Sequence, residues 1–114
     1  MNEKAKKALD SLIEGNKNFV NGISTAKNRT VETLKALQNG QSPIACVLTC
    51  SDSRVVPELI FDKGLGDLFV VRGAGAVIGP NILESVEYAV AKLKVPLVIV
   101  MSHDAVSYTH LRAH

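Results

Sequence analysis

A thiol, a carboxylate and a guanidinium fall within five residues in Cys50-Ser51-Asp52-Ser53-Arg54. The cluster follows directly on Ile44-Ala45-Cys46-Val47-Leu48-Thr49, an uncharged run after Pro43 that predicts a buried parallel strand rather than an amphipathic helix. Ligands of open parallel sheets bind at the C-terminal strand ends, so Cys50, Asp52 and Arg54 are candidate site residues. A plain polar turn would favour Asp and Ser but has no need of Cys with Arg. A second cluster, Ser102-His103-Asp104, ends the apolar run Leu97-Val98-Ile99-Val100-Met101. If these two strands are neighbours, Cys50, Asp52 and His103 converge at a crevice where the strand order reverses. All three are zinc-ligand types, and a tetrahedral site wants four such donors. Taken alone, His103 is an ordinary hydrogen-bonded residue at a strand end; its position opposite Cys50 makes it a ligand candidate.

The elements that must position these groups alternate along the chain. Residues Ala5 to Val20 carry Ala8, Leu9, Leu12, Ile13, Phe19 and Val20 at helical spacing, with Lys4, Lys6, Lys7 and Glu14 opposite, which predicts an amphipathic helix. After the polar connection Ser24 to Arg29, Thr30 is placed to cap a short helix with Val31, Leu34 and Leu37 inside and Gly40 at its end. Pro57 suits a first helical turn, and the short helix it opens stops at Gly64 and Gly66. Leu68-Phe69-Val70-Val71 reads as a second strand. Pro80 opens a third long helix with Ile82, Leu83, Val86, Ala89, Val90 and Leu93 on its buried face, and Pro96 prevents its continuation. The order of strands and helices predicts an α/β fold, a parallel sheet with flanking helices and right-handed crossovers.

Composition narrows the function. The chain has 114 residues, 46% hydrophobic and 21% charged, enough for one domain with a modest core and no more. The formal net charge of +2 comes from scattered lysines without a basic stripe, so no nucleic-acid partner is expected. No run of about eighteen apolar residues and no leader-like start appears, so neither a membrane partner nor export is expected and a reducing, cytoplasmic setting is the default. Cys46 and Cys50 point to the same side of one strand about 13 Å apart, too far for a disulfide. Cys46 is most simply a small core residue.

At the level of motifs the chain resembles the β-class carbonic anhydrases. The resemblance rests on Cys50-Ser51-Asp52-Ser53-Arg54-Val55, Pro57-Glu58, Gly64-Leu65-Gly66-Asp67-Leu68-Phe69-Val70-Val71-Arg72 and Ser85-Val86-Glu87-Tyr88-Ala89-Val90, and runs from Gly15-Asn16-Lys17-Asn18-Phe19 to His103. It implies an incomplete form of that fold over residues 1–105, Zn²⁺ as cofactor held by Cys50 and His103, an Asp-Arg pair at Asp52 and Arg54, and a glutamine at Gln41 that binds substrate across a dimer interface. The reaction implied is the reversible hydration of carbon dioxide to bicarbonate and a proton, in a homodimer or higher homo-oligomer when full length. Asp52 would then have two roles. Paired to Arg54 it leaves a coordination position for water, and released it can take that position itself as a metal ligand.

Two departures from the pattern bear on activity. Where the family has a second zinc cysteine, this chain has Val106, and residues 106–114 resemble no part of the family, which implies a truncated chain ending in a non-family tail. Only Asp104, His110, His114 or water would then complete the zinc shell, and zinc binding and turnover are expected to be impaired. Ala76 stands where the family's loop usually carries Asn. The non-enzyme alternative is an inactive fragment or a zinc-site-degenerate homologue. A dinucleotide site on Gly73-x-Gly75-x-x-x-Gly79 fits less well, because Pro80 places the helix start after the last glycine. A phosphatase-type Cys50 nucleophile is weaker still, with Asp52 placed to repel a phosphate.

Overall fold

A computed structural model of the chain describes residues 1–74 and 78–103. The expectations placed on Gly75, Ala76, Asp104, Val106, His110 and His114 lie outside the described residues. The elements are α1 (Glu3–Val20), α2 (Val31–Ala36), β1 (Ala45–Cys50), α3 (Pro57–Ile60), β2 (Leu68–Gly73), α4 (Pro80–Ala91) and β3 (Val98–Val100).

The sheet is parallel throughout, in the order β2-β1-β3. Every residue of β1 is buried, which is why its sequence shows no polar alternation. One face of the sheet packs Cys46, Leu48 and Val71 under Ala89, with Ile82 and Val86 of α4 against them. The other packs Ala45, Val47 and Leu68 against Leu12 of α1, with Phe61 and Ile99 alongside. Helices thus cover both faces, and the α/β expectation holds. The chain leaves β1 to form β2 on one side and returns to form β3 on the other. The strand order therefore reverses at β1, the kind of place at which open parallel sheets bind their ligands.

Several expected core positions lie outside. On α1 the buried residues are Ala5, Ala8, Leu12 and Gly15, while Ile13, Phe19 and Val20 are exposed. A stripe of small residues lets the helix come close: a Cβ on Gly15 would lie 1.8 Å from the Phe61 carbonyl oxygen. On α2, Thr30 caps as expected by accepting from the Thr33 amide at 3.2 Å, but Val31 and Leu34 face solvent. A helix of six residues has too little length to bury a whole stripe, and only Leu37, just beyond it, turns in against Gly66. Leu83 and Val90 of α4 are also exposed, since the face of the helix that meets the sheet is the one carrying Ile82, Val86 and Ala89. β3 is shorter than expected, and Val98 and Val100 are exposed on a strand whose described ladder runs to β1 alone.

Polar contacts fix α1 to the end of α3. Asn16 Nδ2 donates to the Ile60 carbonyl at 3.1 Å, and Lys63 Nζ donates to Ser11 Oγ at 2.6 Å. Asp62, in the left-handed region at φ 51°, accepts from Asn18 Nδ2 and from the Thr25 amide, both at 3.0 Å, with Arg29 3.7 Å away. Asn18, and then the Thr25 amide, hold the Asp62 carboxyl below its ordinary range. Its stabilising effect is therefore present above the unfolded-state pKa and is lost as pH falls through the lower folded-state value. Asp62→Asn keeps the backbone conformation accessible and removes the charge. The variant is expected to melt a few degrees lower at neutral pH, with the gap to the parent closing in acid below the carboxylate range. Thermal unfolding at several pH values checks this.

Candidate metal centre

The site is built at the C-terminal end of β1. Cys50 pairs with Gly73 of β2, and the Ser51 amide donates to the Gly73 carbonyl at 3.0 Å, so the ladder holds the strand to its last residue. The chain then turns, with the Val55 amide bonded to the Asp52 carbonyl at 3.0 Å. The Cys50 thiol is 6% exposed and its Sγ accepts from the Asp52 amide at 3.4 Å.

Asp52 and Arg54 form the two-pronged pair. Arg54 Nε donates to Oδ1 at 2.9 Å and Nη2 to Oδ2 at 2.7 Å, while the Arg54 amide also donates to Oδ1 at 2.8 Å. The Arg54 side chain, and then its backbone amide, hold the Asp52 carboxyl far below the usual range; the charge of His103 acts in the same direction. Asp52 is thereby kept ionised and facing Arg54.

His103 enters from β3. Leu48 pairs with Val100, and the Met101 amide continues the ladder to the Leu48 carbonyl at 2.8 Å. Carried forward in the same register, Cys50 stands beside Ser102, and His103 is the next residue. Its ring Nε2 is buried. The structure thus brings Cys50, Asp52, Arg54 and His103 to one corner. Gln41 is not among them: it is exposed in the loop before β1, at the opposite end of a strand about 20 Å long.

Arg72 was not singled out in the sequence. From β2, beside Thr49, its Nε donates to the Cys50 carbonyl at 3.1 Å, and Nη2 donates to the carbonyls of Asp52 at 2.8 Å and Val55 at 2.5 Å. The signal available was an arginine ending an apolar strand run, since a guanidinium drawn below the surface must find acceptors.

Among the described residues no group of three or more His, Cys, Asp or Glu is placed to hold a metal ion. The donors not engaged by arginine are a thiol and an imidazole, which suit Zn²⁺ and make up half of a tetrahedral shell.

The sequence profile of the carbonic anhydrases matches residues 45–107, the stretch that carries this corner. The chain belongs to the carbonic anhydrase family. Carbonic anhydrase 2 of Mycobacterium tuberculosis is 49% identical over 98 residues, covering 86% of this chain and 47% of that protein. Among solved structures, the β-carbonic anhydrase CcaA superposes with a TM-score of 0.61 at 34% identity, covering 84% of this chain and 48% of that one. One of two tetrameric β-carbonic anhydrases of Sordaria macrospora gives 0.57 at 28% identity, over 70% and 50%. The likeness to β-class members of the carbonic anhydrase family is the one the motifs implied. The chain spans about half the length of the relatives it matches.

Proposed function

We propose that this chain contributes a zinc-dependent site for the reversible hydration of carbon dioxide. The observation that carries the reading is the meeting of Cys50 and His103 at adjoining ends of β1 and β3 while Arg54 holds Asp52 aside. Cys50 and His103 would hold the zinc. When bound, zinc is a Lewis acid that lowers the pKa of a coordinated water from about 15.7 to about 7. Asp52, ionised and held by Arg54, would accept a hydrogen bond from a hydroxyl group in that corner and so orient it. Gln41 reaches no group of its own chain's site, so its substrate-binding role requires a second copy. A homodimer meets that requirement, and the Sordaria macrospora relatives are tetramers.

A zinc-poor, inactive form is the second reading, favoured by a specific observation. Among the described residues no group of three His, Cys, Asp or Glu is placed to hold a metal ion, and Val106 supplies no thiol where the resemblance expects one. In that reading residues 1–105 carry the family scaffold and 106–114 add nothing to it. A reducing compartment such as the cytoplasm suits either reading, since neither cysteine is paired in a disulfide. No described helix is long and apolar enough to cross a membrane.

Zinc per chain after dialysis, with stopped-flow carbon dioxide hydration, separates the two. Stoichiometric zinc with turnover supports the enzyme, whereas little or no zinc without turnover supports the zinc-poor, inactive form and overturns the metal centre. Within the enzyme reading, Arg54→Lys replaces a planar fork by a point donor that cannot span both Asp52 oxygens. Turnover is expected to fall roughly 10–100-fold with zinc retained, as Asp52 swings toward the metal. Unchanged turnover would remove Arg54 from the gate.

A further inference from the structure

Arg72 makes an unusual set of contacts for a cation. Its three described hydrogen bonds all go to backbone carbonyls, and all three carbonyls belong to the turn between Cys50 and Val55. Among the described residues no carboxylate pairs with it. Among the described residues the side chain serves to hold backbone, not to pair a charge. It gathers one loop.

The other restraints on this loop among the described residues lie mostly within it. The Ser51 amide ties its start to Gly73, the Val55 amide closes its turn on Asp52, and Arg54 folds back on the Asp52 side chain. None of these fixes the peptide plane after Asp52 against the sheet. Arg72 does, because a guanidinium presents several N–H groups in one rigid plane. Holding the Cys50 and Asp52 carbonyls on one side sets the backbone torsions that aim the Asp52 carboxylate. Holding Val55, just past Arg54, keeps the two partners of the ion pair on the same short arc.

We propose that Arg72 is a positioning residue: by clamping the carbonyls of Cys50, Asp52 and Val55, it keeps the Asp52 carboxylate on Arg54 and out of the corner formed by Cys50 and His103. The inference deepens the proposed zinc site, and on that site it assigns Arg72 control over whether Asp52 stands aside or enters. It acts through the loop backbone and need not touch substrate or metal. A lysine at this position has one donor centre and cannot span three carbonyls, so charge alone does not substitute.

The test compares the full chain with Arg72→Lys and Arg72→Gln. Without metal, NMR reads solvent exchange of the Arg54 Nε proton, which reports the Asp52–Arg54 pair, beside the amide protection of β1 and β2. Exchange of that proton is expected to quicken roughly tenfold or more in both variants while strand amides keep their protection. With cobalt(II) alone as the metal probe, the ligand-field bands of Arg72→Gln are expected to shift as a carboxylate joins the thiolate, and Asp52→Asn in the same chain to reverse the shift. Unchanged exchange at Arg54 overturns the proposal. So does an equal loss of protection throughout β1 and β2, which would make Arg72 a support of the sheet. If the parent chain shows no thiolate-to-cobalt band, the zinc site fails while the exchange measurement still decides the role of Arg72.

Discussion

Cys50→Ser is expected to lower zinc affinity by roughly 10²–10³-fold while leaving the fold in place. Zinc peptides with four ligands bind with about 10–16 kcal/mol at neutral pH, so one donor accounts for about 2.5–4 kcal/mol, and each 1.4 kcal/mol is about tenfold. Serine nearly matches cysteine in size, and its hydroxyl can still accept from the Asp52 amide, so the turn survives. What disappears is the thiolate. Cys46→Ser is the control. Cys46 is fully buried in the β1 core, and burial pushes its thiol pKa up, so it is a packing residue with no aptitude for metal. That substitution is expected to cost stability and spare zinc affinity, the reverse of Cys50→Ser. Zinc titration against a chromophoric chelator, beside urea unfolding, reads both. Equal zinc affinity in Cys50→Ser and the parent would remove Cys50 from the metal centre.

Gly15→Ala is expected to destabilise the chain by about 3 kcal/mol or more, at the upper end of overpacking costs. Helix propensity argues the other way, since alanine in a helix interior is favoured over glycine by about 1 kcal/mol. Geometry wins. The new methyl would stand 1.8 Å from the Phe61 carbonyl oxygen and 2.5 Å from its carbon, and both are backbone atoms that no rotamer change can move. α1 would have to lift from α3, weakening the Asn16, Asn18 and Lys63 contacts at once. Gly22→Ala is the comparison. Its φ of 71° is strained for alanine, but nothing lies within 4 Å of the added carbon. It is expected to cost only about 1–2 kcal/mol. Denaturant midpoints for the two variants decide between contact and conformation as the dominant effect.

These cases show where sequence reading succeeds and where it stops. β1 was legible because a strand buried on both faces leaves a continuous uncharged run, and the prolines at 57 and 80 marked helix starts because proline has no amide to lose there. The convergence of Cys50 and His103 was read on the condition that β1 and β3 are neighbours, and the register meets that condition. Periodicity overstated burial, however. It ranks residues by hydrophobicity, and so favoured Ile13 and Phe19 over Gly15, the residue on which the α1 contact turns. Similarly, Val31 and Leu34 are apolar at helical spacing on a helix too short to reach cover. Arg72 and Asp62 were invisible for another reason. Their partners are backbone carbonyls, amides and distant side chains, which only the folded arrangement brings within reach.

The pairing of Leu48 with Val100 carries a vernier-like sensitivity. Were β3 to slip by a single residue against β1, His103 would move about 3.3 Å and its side chain would flip to the other face of the sheet. Half-open strands with two exposed valines hold their alignment only weakly by burial. An insertion or deletion anywhere between Val95 and Met101 would thus disconnect the imidazole from the thiol without touching either, and metal uptake would serve as a gauge of strand alignment far from the ligands.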